Sequence, residues 1–208
     1  MNAIVDQLNR FARKVPTWIV YLLLVLPIPM FFYLAVTGRL GVEPINSLER
    51  ELGEFALQLI IAGLMITPAR KYFGLNLLKF RRAIGVMAFV YVVVHLGVWV
   101  VLDMSLRFEQ MWGDIWKRPY ITVGIVAFIG MIPLAMTSND LSVRKLGAAA
   151  WRKLHKVTYL IAILGAIHFI MVQKVWERDA IVYFGVIVVL VGLRYIPKRK
   201  TTGVKVKG

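Results

Sequence analysis

The sequence predicts an all-α membrane protein, a polytopic helix bundle with six transmembrane helices. Hydrophobic residues make up 59% of the 208 residues and the mean hydropathy is +0.70, both well above the values of soluble domains. Six apolar stretches also reach, or nearly reach, the length that crosses a hydrocarbon core of about 30 Å. These stretches are Trp18–Val36, Leu52–Thr67, Ala83–Leu102, Tyr120–Met136, Val157–Val172 and Ala180–Ile196. Together they predict a single transmembrane domain over residues 1–208.

The distribution of charge predicts the orientation of the bundle. With the N-terminus in the cytosol, the cytosolic side carries 19 Lys and Arg against 2 acidic residues, and the opposite side carries 7 against 9. This is the positive-inside bias of a multi-pass protein, so both termini are expected to be cytosolic. The basic residues lie at the ends of spans, where they suit anionic lipid headgroups and not nucleic acid. The absence of cysteine excludes disulfide, thiol-redox and thiolate-metal chemistry.

The first half of the chain has three features besides its spans. Residues 1–16 form a cytosolic N-terminal segment, of which Asn2–Lys14 is expected to lie at the membrane interface. Pro27 and Pro29 should kink or break the first span, because proline has no amide hydrogen to donate. The cytosolic loop Pro68–Arg82 is basic and leads directly into the third span.

The second half contains two longer loops and a tail. The outer loop Asp103–Pro119 includes Trp112 and Trp116, which are typical of the aromatic belt at a membrane interface. This loop is long enough to present a small docking surface. The cytosolic loop Thr137–Lys156 becomes helical in pattern before the fifth span, and the tail 197–208 is basic and expected in the cytosol.

The three histidines are the residues that point to chemistry, because an ionisable side chain inside a span is costly and usually functional. His95 lies on the third span, and His155 and His168 lie on the fifth. At 1.5 Å per residue, His95 is about 18 Å from the inner end of its span, and His168 is about 20 Å beyond His155. His95 and His168 are therefore expected at one depth in the outer half, with His155 at the cytosolic edge.

Two imidazoles opposed at one depth suit the axial ligation of a haem iron, which leaves no open position for dioxygen and favours electron transfer. Gly97, Gly165 and Ala166 are small residues near the two histidines and would leave room for a flat macrocycle. Two alternatives stay open: a structural hydrogen bond across a helix interface, and another metal site, for which the donor set is poor. The spacing of His155 and His168 places them on different helix faces, so a second haem does not follow from it.

Two stretches carry a family resemblance: RRAIGVMAFVYVVVHLGVWVVLD (Arg81–Asp103) and LGAAAWRKLHKVTYLIAILGAIHF (Leu146–Phe169). They resemble the MsrQ family of haem-binding membrane subunits and, more widely, the ferric-reductase-like transmembrane domain shared with NADPH oxidases. The resemblance implies a b-type haem protein of the bacterial inner membrane that is an electron-transfer subunit and not the catalytic one. Its implied partner is a periplasmic molybdopterin-containing methionine sulfoxide reductase, which repairs oxidised proteins. It also implies association with FMN, and electrons from the quinone pool or a cytosolic flavin reductase.

The resemblance also implies roles for the histidines. His95 and His168 would be the outer haem ligands, and His155 the inner histidine. Oxidases of the wider superfamily usually carry two histidines on each of these two helices, but here Arg81 and Arg82 stand at the inner positions of the third span. A second site with two histidine ligands is therefore not expected, and His155 would need another kind of partner.

Basic residues at the inner ends of the spans are candidates for binding a haem propionate or an FMN phosphate, since guanidinium matches such oxyanions. The candidates are Arg70, Arg81, Arg82 and Arg152. Lipid headgroups and topology would equally explain them. A dinucleotide-binding glycine motif is absent, so direct nicotinamide binding is not expected. Two other functions stay open: a membrane cytochrome or ferric reductase with another acceptor, and a transporter or scaffold without redox chemistry.

Overall fold

The computed structural model describes residues 2–173 and 177–195, and within this part of the chain the regular structure is helical, with no strand. The predicted tail 197–208 lies outside the described residues. The α-helices are α1 (Asn2–Lys14), α2 (Thr17–Val25), α3 (Pro27–Val36), α4 (Pro44–Phe73), α5 (Arg81–Val98), α6 (Phe108–Lys117), α7 (Pro119–Met136), α8 (Asp140–Leu146), α9 (Ala148–Leu154), α10 (Val157–Val172) and α11 (Arg178–Gly192).

Five helical segments are long and apolar enough to cross a membrane. They are Thr17–Val36, Pro44–Phe73, Leu78–Asp103, Pro119–Met136 and Ala148–Val172. The sixth predicted stretch coincides with α11, whose 15 residues correspond to only about 22 Å of helix. A multi-pass helical bundle is thus established, whereas the sixth span and the orientation of the termini stay predictions.

The first span is interrupted where its prolines predict. Helix α2 ends at Val25, and α3 begins at Pro27 after a single intervening residue, Leu26. Pro27 and Pro29 cannot donate to the carbonyls one turn earlier, which breaks the run of helical hydrogen bonds. Leu26 keeps helical backbone angles, so the chain continues in the same general direction.

Four helices form the centre of the bundle: α4 contacts α5, α5 contacts α7, α7 contacts α10, and α10 closes the ring on α4. The most extensive packing is within the pairs α4–α5 and α7–α10. Fully buried alanines, among them Ala56, Ala88 and Ala162, let neighbouring helices approach closely. Helix α11 packs outside α4 and α10, and α2 packs outside α5. Large apolar side chains on the outer surfaces, such as Val93 and Ile129, are exposed, as expected for a lipid-facing surface.

Tyr91 connects the central ring to the first span. Its side chain on α5 is completely buried, and its hydroxyl donates a hydrogen bond of 2.8 Å to the carbonyl oxygen of Leu24 on α2. The Tyr91 ring also lies 4.6 Å, between centroids, from the ring of Phe55 on α4. One side chain therefore holds three helices together.

We expect Tyr91→Phe to lower the free energy of unfolding by about 1 kcal/mol, because it removes this hydrogen bond while leaving the ring contacts in place. Thermal unfolding of the detergent-solubilised protein measures the effect. Tyr33→Phe is the matched control, since the Tyr33 side chain on α3 is 58% exposed. Equal stability of the Tyr91 and Tyr33 variants would contradict the assigned contact.

Candidate functional site

The two outer histidines meet inside the helical bundle. His95 near the end of α5 and His168 on α10 have ring centroids 6.3 Å apart, with ring planes at 82°. Both side chains are half-buried. The prediction that these two residues lie at one depth on facing helices agrees with this geometry.

Each imidazole makes a hydrogen bond through the same nitrogen. His95 Nδ1 lies 2.8 Å from the carbonyl oxygen of Glu49 on α4, and His168 Nδ1 lies 2.7 Å from the carbonyl oxygen of Tyr120 on α7. A carbonyl oxygen can only accept, so each Nδ1 carries the proton and each Nε2 of a neutral ring keeps its lone pair. Both rings are thus fixed in the tautomer that coordinates metal through Nε2.

A glycine lies against each ring, four residues beyond the accepting carbonyl. A Cβ atom added at Gly53 would lie 3.2 Å from His95 Nδ1, and one added at Gly124 would lie 2.9 Å from His168 Nδ1. Any larger residue at these positions would push against the imidazole. The two sites therefore share one arrangement, in which a helix supplies a carbonyl and a glycine one turn later to a histidine of the neighbouring helix.

The separation of the rings fits a single metal ion between them. An imidazole nitrogen lies about 2 Å from a bound transition metal and about 1 Å from its own ring centroid, so one ion between two imidazoles separates the centroids by about 6 Å. The observed distance of 6.3 Å agrees with this value. Among the described residues no group of three or more His, Asp or Glu could hold a metal ion, so a non-haem centre has little to bind it. The donor set fits the axial ligation of haem iron.

The backbone after His95 departs from regular α-helix. Residues Trp99–Asp103 form a π-helical turn, and the amide of Trp99 donates to the His95 carbonyl. Such turns are frequent at functional sites because they reorient the side chains around them. Ser105 and Leu106, with φ of 49° and 60°, then end the span in left-handed conformation.

His155 lies elsewhere, at the C-terminal end of α9 and two residues before α10 begins. Its Nε2 is 3.1 Å from the hydroxyl of Thr137, and its ring stacks on Trp151 with centroids 3.9 Å apart. Trp151 in turn donates from Nε1 to the Thr137 carbonyl at 2.8 Å. These three residues form a cluster, which we call the inner aromatic cluster, and it does not touch His95 or His168. An inner haem ligand at His155 stays a prediction.

The predicted basic residues differ in their surroundings. The guanidinium of Arg82 is 2.6 Å from the carboxylate of Asp140, an ion pair that holds the pKa of Asp140 below its usual range. Arg70, Arg81 and Arg152 are exposed. Arg82 is therefore engaged by a carboxylate, whereas the others stay candidates for binding an anion.

Sequence reasoning missed Arg194, which follows α11. Its Nη2 donates to the Leu64 carbonyl at 2.7 Å, and its guanidinium lies 5.6 Å from the centroid of the Tyr159 ring. The Nε atom is buried and has no hydrogen-bond partner among the described residues. The only sequence signal is that Arg194 is the one charged residue in the apolar stretch Ala180–Ile196.

The three small residues that were predicted to leave room near the histidines differ in their surroundings. A Cβ at Gly97 would meet nothing within 4 Å, so this position does leave open space. Gly165 faces Leu57, and Ala166 is buried in the same cluster of α4 and α10 side chains. The glycines that contact the histidines, Gly53 and Gly124, lie on other helices, and nothing in their local sequence indicates this.

The outer loop contains a helix that had been predicted only as a loop. Helix α6 buries Met111 and Ile115 against Trp99 and neighbouring side chains. Its Trp112 and Trp116 are 65% and 67% exposed, and their rings meet edge to face. Both tryptophans are therefore exposed, and the membrane-interface role and the docking surface of this loop stay predictions.

Comparison with known proteins identifies the family. The family model described as the ferric reductase like transmembrane component matches residues 51–166. A relative from Rhizobium meliloti is 44% identical over 182 residues, which cover 88% of this chain and 84% of the relative. Relatives from Agrobacterium fabrum and Brucella anthropi are 43% and 40% identical over 179 residues, covering 86% of this chain and 83% and 81% of the relatives.

All three relatives are named the haem-binding subunit MsrQ of protein-methionine-sulfoxide reductase. No solved structure shows a significant match. The matched region includes the helices that carry His95 and His155, and the alignments with the relatives extend over most of the chain. The chain therefore belongs to the ferric-reductase-like transmembrane family and, within it, to the MsrQ subunits.

Proposed function

We propose that this chain binds a b-type haem through His95 and His168 and passes electrons to a periplasmic molybdopterin-containing methionine sulfoxide reductase. The observation that carries the proposal is the pair of imidazoles, whose ring centroids lie 6.3 Å apart. Each ring donates a hydrogen bond from Nδ1 to a helix carbonyl. When bound, haem supplies reversible one-electron transfer without an open position for dioxygen. The catalytic reduction of methionine sulfoxide belongs to the partner.

The residues around the histidines would hold the ligands in place. Donation from Nδ1 to a carbonyl fixes the ring orientation and makes Nε2 a stronger ligand, the usual role of a hydrogen-bond partner behind a metal-bound histidine. Gly53 and Gly124 limit rotation of the rings by direct contact. Because the rings are held in this way, the two histidines would need to move little when the haem iron gains or loses an electron. A small rearrangement of this kind favours electron transfer.

The topology we propose is six spans in the bacterial inner membrane, with both termini in the cytosol. The excess of basic residues at one end of the bundle supports this orientation, since 14 of the 20 Lys and Arg among the described residues fall there. At the opposite end, acidic residues balance the basic ones, as in the ion pairs Arg50–Glu177 and Arg118–Asp114. His95 and His168 would then lie in the periplasmic half, close to the electron acceptor.

We propose that electrons enter the protein at its cytosolic end. Arg70, Arg81, Arg152 and Arg194 supply guanidinium groups for an FMN phosphate or a haem propionate. To act as an inner haem ligand through Nε2, His155 would exchange its contact with Thr137, which uses that nitrogen. Electrons would enter here from the quinone pool or from a cytosolic flavin reductase.

Alanine substitution of either outer histidine is expected to abolish most haem binding, because one axial ligand and its oriented Nδ1 hydrogen bond are lost together. The measurement is the absorbance spectrum of the purified, dithionite-reduced protein, with the haem-to-protein ratio determined after extraction. His155→Ala is the matched variant and should keep the haem bound by His95 and His168. Full haem retention in both His95→Ala and His168→Ala would refute the ligand assignment.

Substitution of Gly124 by Ala should displace His168 and lower haem retention, because the new methyl group would lie 2.9 Å from the ring. Overpacking of this kind typically costs about 1–3 kcal/mol. Gly53→Ala should be milder, since the corresponding distance is 3.2 Å. Gly85→Ala, which also meets nothing within 4 Å and lies ten residues before His95 on α5, serves as the control, and the haem-to-protein ratio is the readout. An equal ratio in the Gly85 and Gly124 variants would argue against ring positioning by glycine.

The acceptor is tested by mixing the reduced protein with candidate oxidants in stopped-flow spectroscopy. We expect rapid reoxidation by a periplasmic methionine sulfoxide reductase, in proportion to the added methionine sulfoxide. Ferric citrate without the reductase provides the comparison. Reoxidation by ferric iron alone would favour the alternative function, a membrane ferric reductase or another cytochrome with a different acceptor.

A further inference from the structure

Helix α1 has three sides with different surroundings. One side faces the protein, a second side carries large exposed apolar residues, and the third side is polar and exposed. At 3.6 residues per turn, Ile4, Leu8 and Phe11 share the apolar side, since they are spaced four and three residues apart. Their exposed fractions are 68%, 48% and 67%. The polar side carries Asp6, Arg10 and Lys14, all exposed, and Gln7 lies at its boundary with the apolar side.

The protein side fixes the rotation of the helix. Asn9 donates from Nδ2 to the Gly74 carbonyl at 3.0 Å, and its Oδ1 accepts from the amide of Asn76 at 2.8 Å. One turn later the carbonyl of Arg13 accepts from Lys79 Nζ at 2.9 Å. Ala12 on the same side is buried. Because these contacts hold α1 to the loop between α4 and α5, the apolar side cannot turn inward to hide its side chains.

The position of α1 along the chain identifies what covers the apolar side. The membrane span Thr17–Val36 begins only two residues after α1 ends at Lys14. The helix must therefore lie at the surface of the bilayer that this span crosses. An amphipathic helix in that position buries its apolar side at the boundary between headgroups and acyl chains.

The charge of the helix indicates the chemistry of that surface. Arg10, Arg13 and Lys14 are basic, and Asp6 is the one acidic residue of the segment 2–14. Basic side chains next to an inserted apolar stripe attract anionic headgroups, and their long alkyl stems reach across the interface. Arg10 and Lys14 extend from the polar side, which would face the aqueous phase and the phosphates.

We propose that α1 is a binding surface for anionic lipid: Ile4, Leu8 and Phe11 insert into the bilayer while Asn9 and Arg13 hold the loop between α4 and α5. The same helix thereby fastens this loop to the membrane surface. The proposal does not depend on haem binding, so it can fail or succeed independently of the function proposed above.

The experiment uses the absence of cysteine, which makes a single introduced cysteine the only labelling site. Phe11→Cys on the apolar side and Asp6→Cys on the polar side are each labelled with the fluorophore NBD in the full-length protein. The labelled proteins are placed in nanodiscs of phosphatidylglycerol mixed with phosphatidylcholine. Doxyl-labelled lipid reports contact with acyl chains, and iodide reports contact with water.

The label at position 11 should lose most of its fluorescence to doxyl lipid and be shielded from iodide, and the label at position 6 should behave in the opposite way. Replacing phosphatidylglycerol by phosphatidylcholine should reduce the doxyl quenching at position 11. Iodide quenching equal at both positions would overturn the proposal, because the apolar side would then face water. Shielding from iodide without doxyl quenching would also overturn it, because a second copy or another protein would cover the helix. Unchanged quenching in neutral lipid would overturn the preference for anionic lipid.

Discussion

The arrangement of the bundle depends on two hydrogen bonds, from His95 to the Glu49 carbonyl and from His168 to the Tyr120 carbonyl. An imidazole in an apolar environment is costly unless its N–H group has a partner, and a helix carbonyl is the partner that a neighbouring span can offer. The imidazole can reach a carbonyl within a helix only where the side chains are small. Gly53 and Gly124 meet that requirement, so glycine on one helix is the condition for histidine on the next.

The same kind of contact occurs once in each of two helix pairs. Helices α4 and α5 form one closely packed pair, and α7 and α10 form the other. In each pair the first helix supplies the carbonyl and the glycine near its N-terminal end, and the second supplies the histidine. The two histidines then meet across the bundle, so the site consists of two similar helix pairs. No internal repeat is visible in the sequence, because the shared arrangement needs only a glycine and a histidine from each pair.

The sequence could predict the depth of the histidines but not their neighbours. Depth along a span follows from counting residues at a fixed rise, which is why His95 and His168 could be paired in advance. The carbonyl of Glu49 and the glycine positions depend on how each helix is rotated against the next, and a nearly uniform apolar sequence carries little information about rotation. The same limit applies to Arg82, whose partner Asp140 is 58 residues away. The charge pattern predicted the basic end of the bundle and left the individual ion pairs undetermined.

His168 on α10 and His155 just before this helix use different ring nitrogens for their hydrogen bonds. At the outer end, His168 uses Nδ1 for its hydrogen bond, and Nε2 is left for a metal. At the inner end, His155 uses Nε2 for the contact with Thr137, and its ring face is covered by Trp151. Helix α5 begins with Arg81 and Arg82 at this end, and neither of the other two histidines lies opposite His155. The inner end therefore lacks the pair of facing imidazoles that defines the outer site, and it presents exposed guanidinium groups and an aromatic ring in their place.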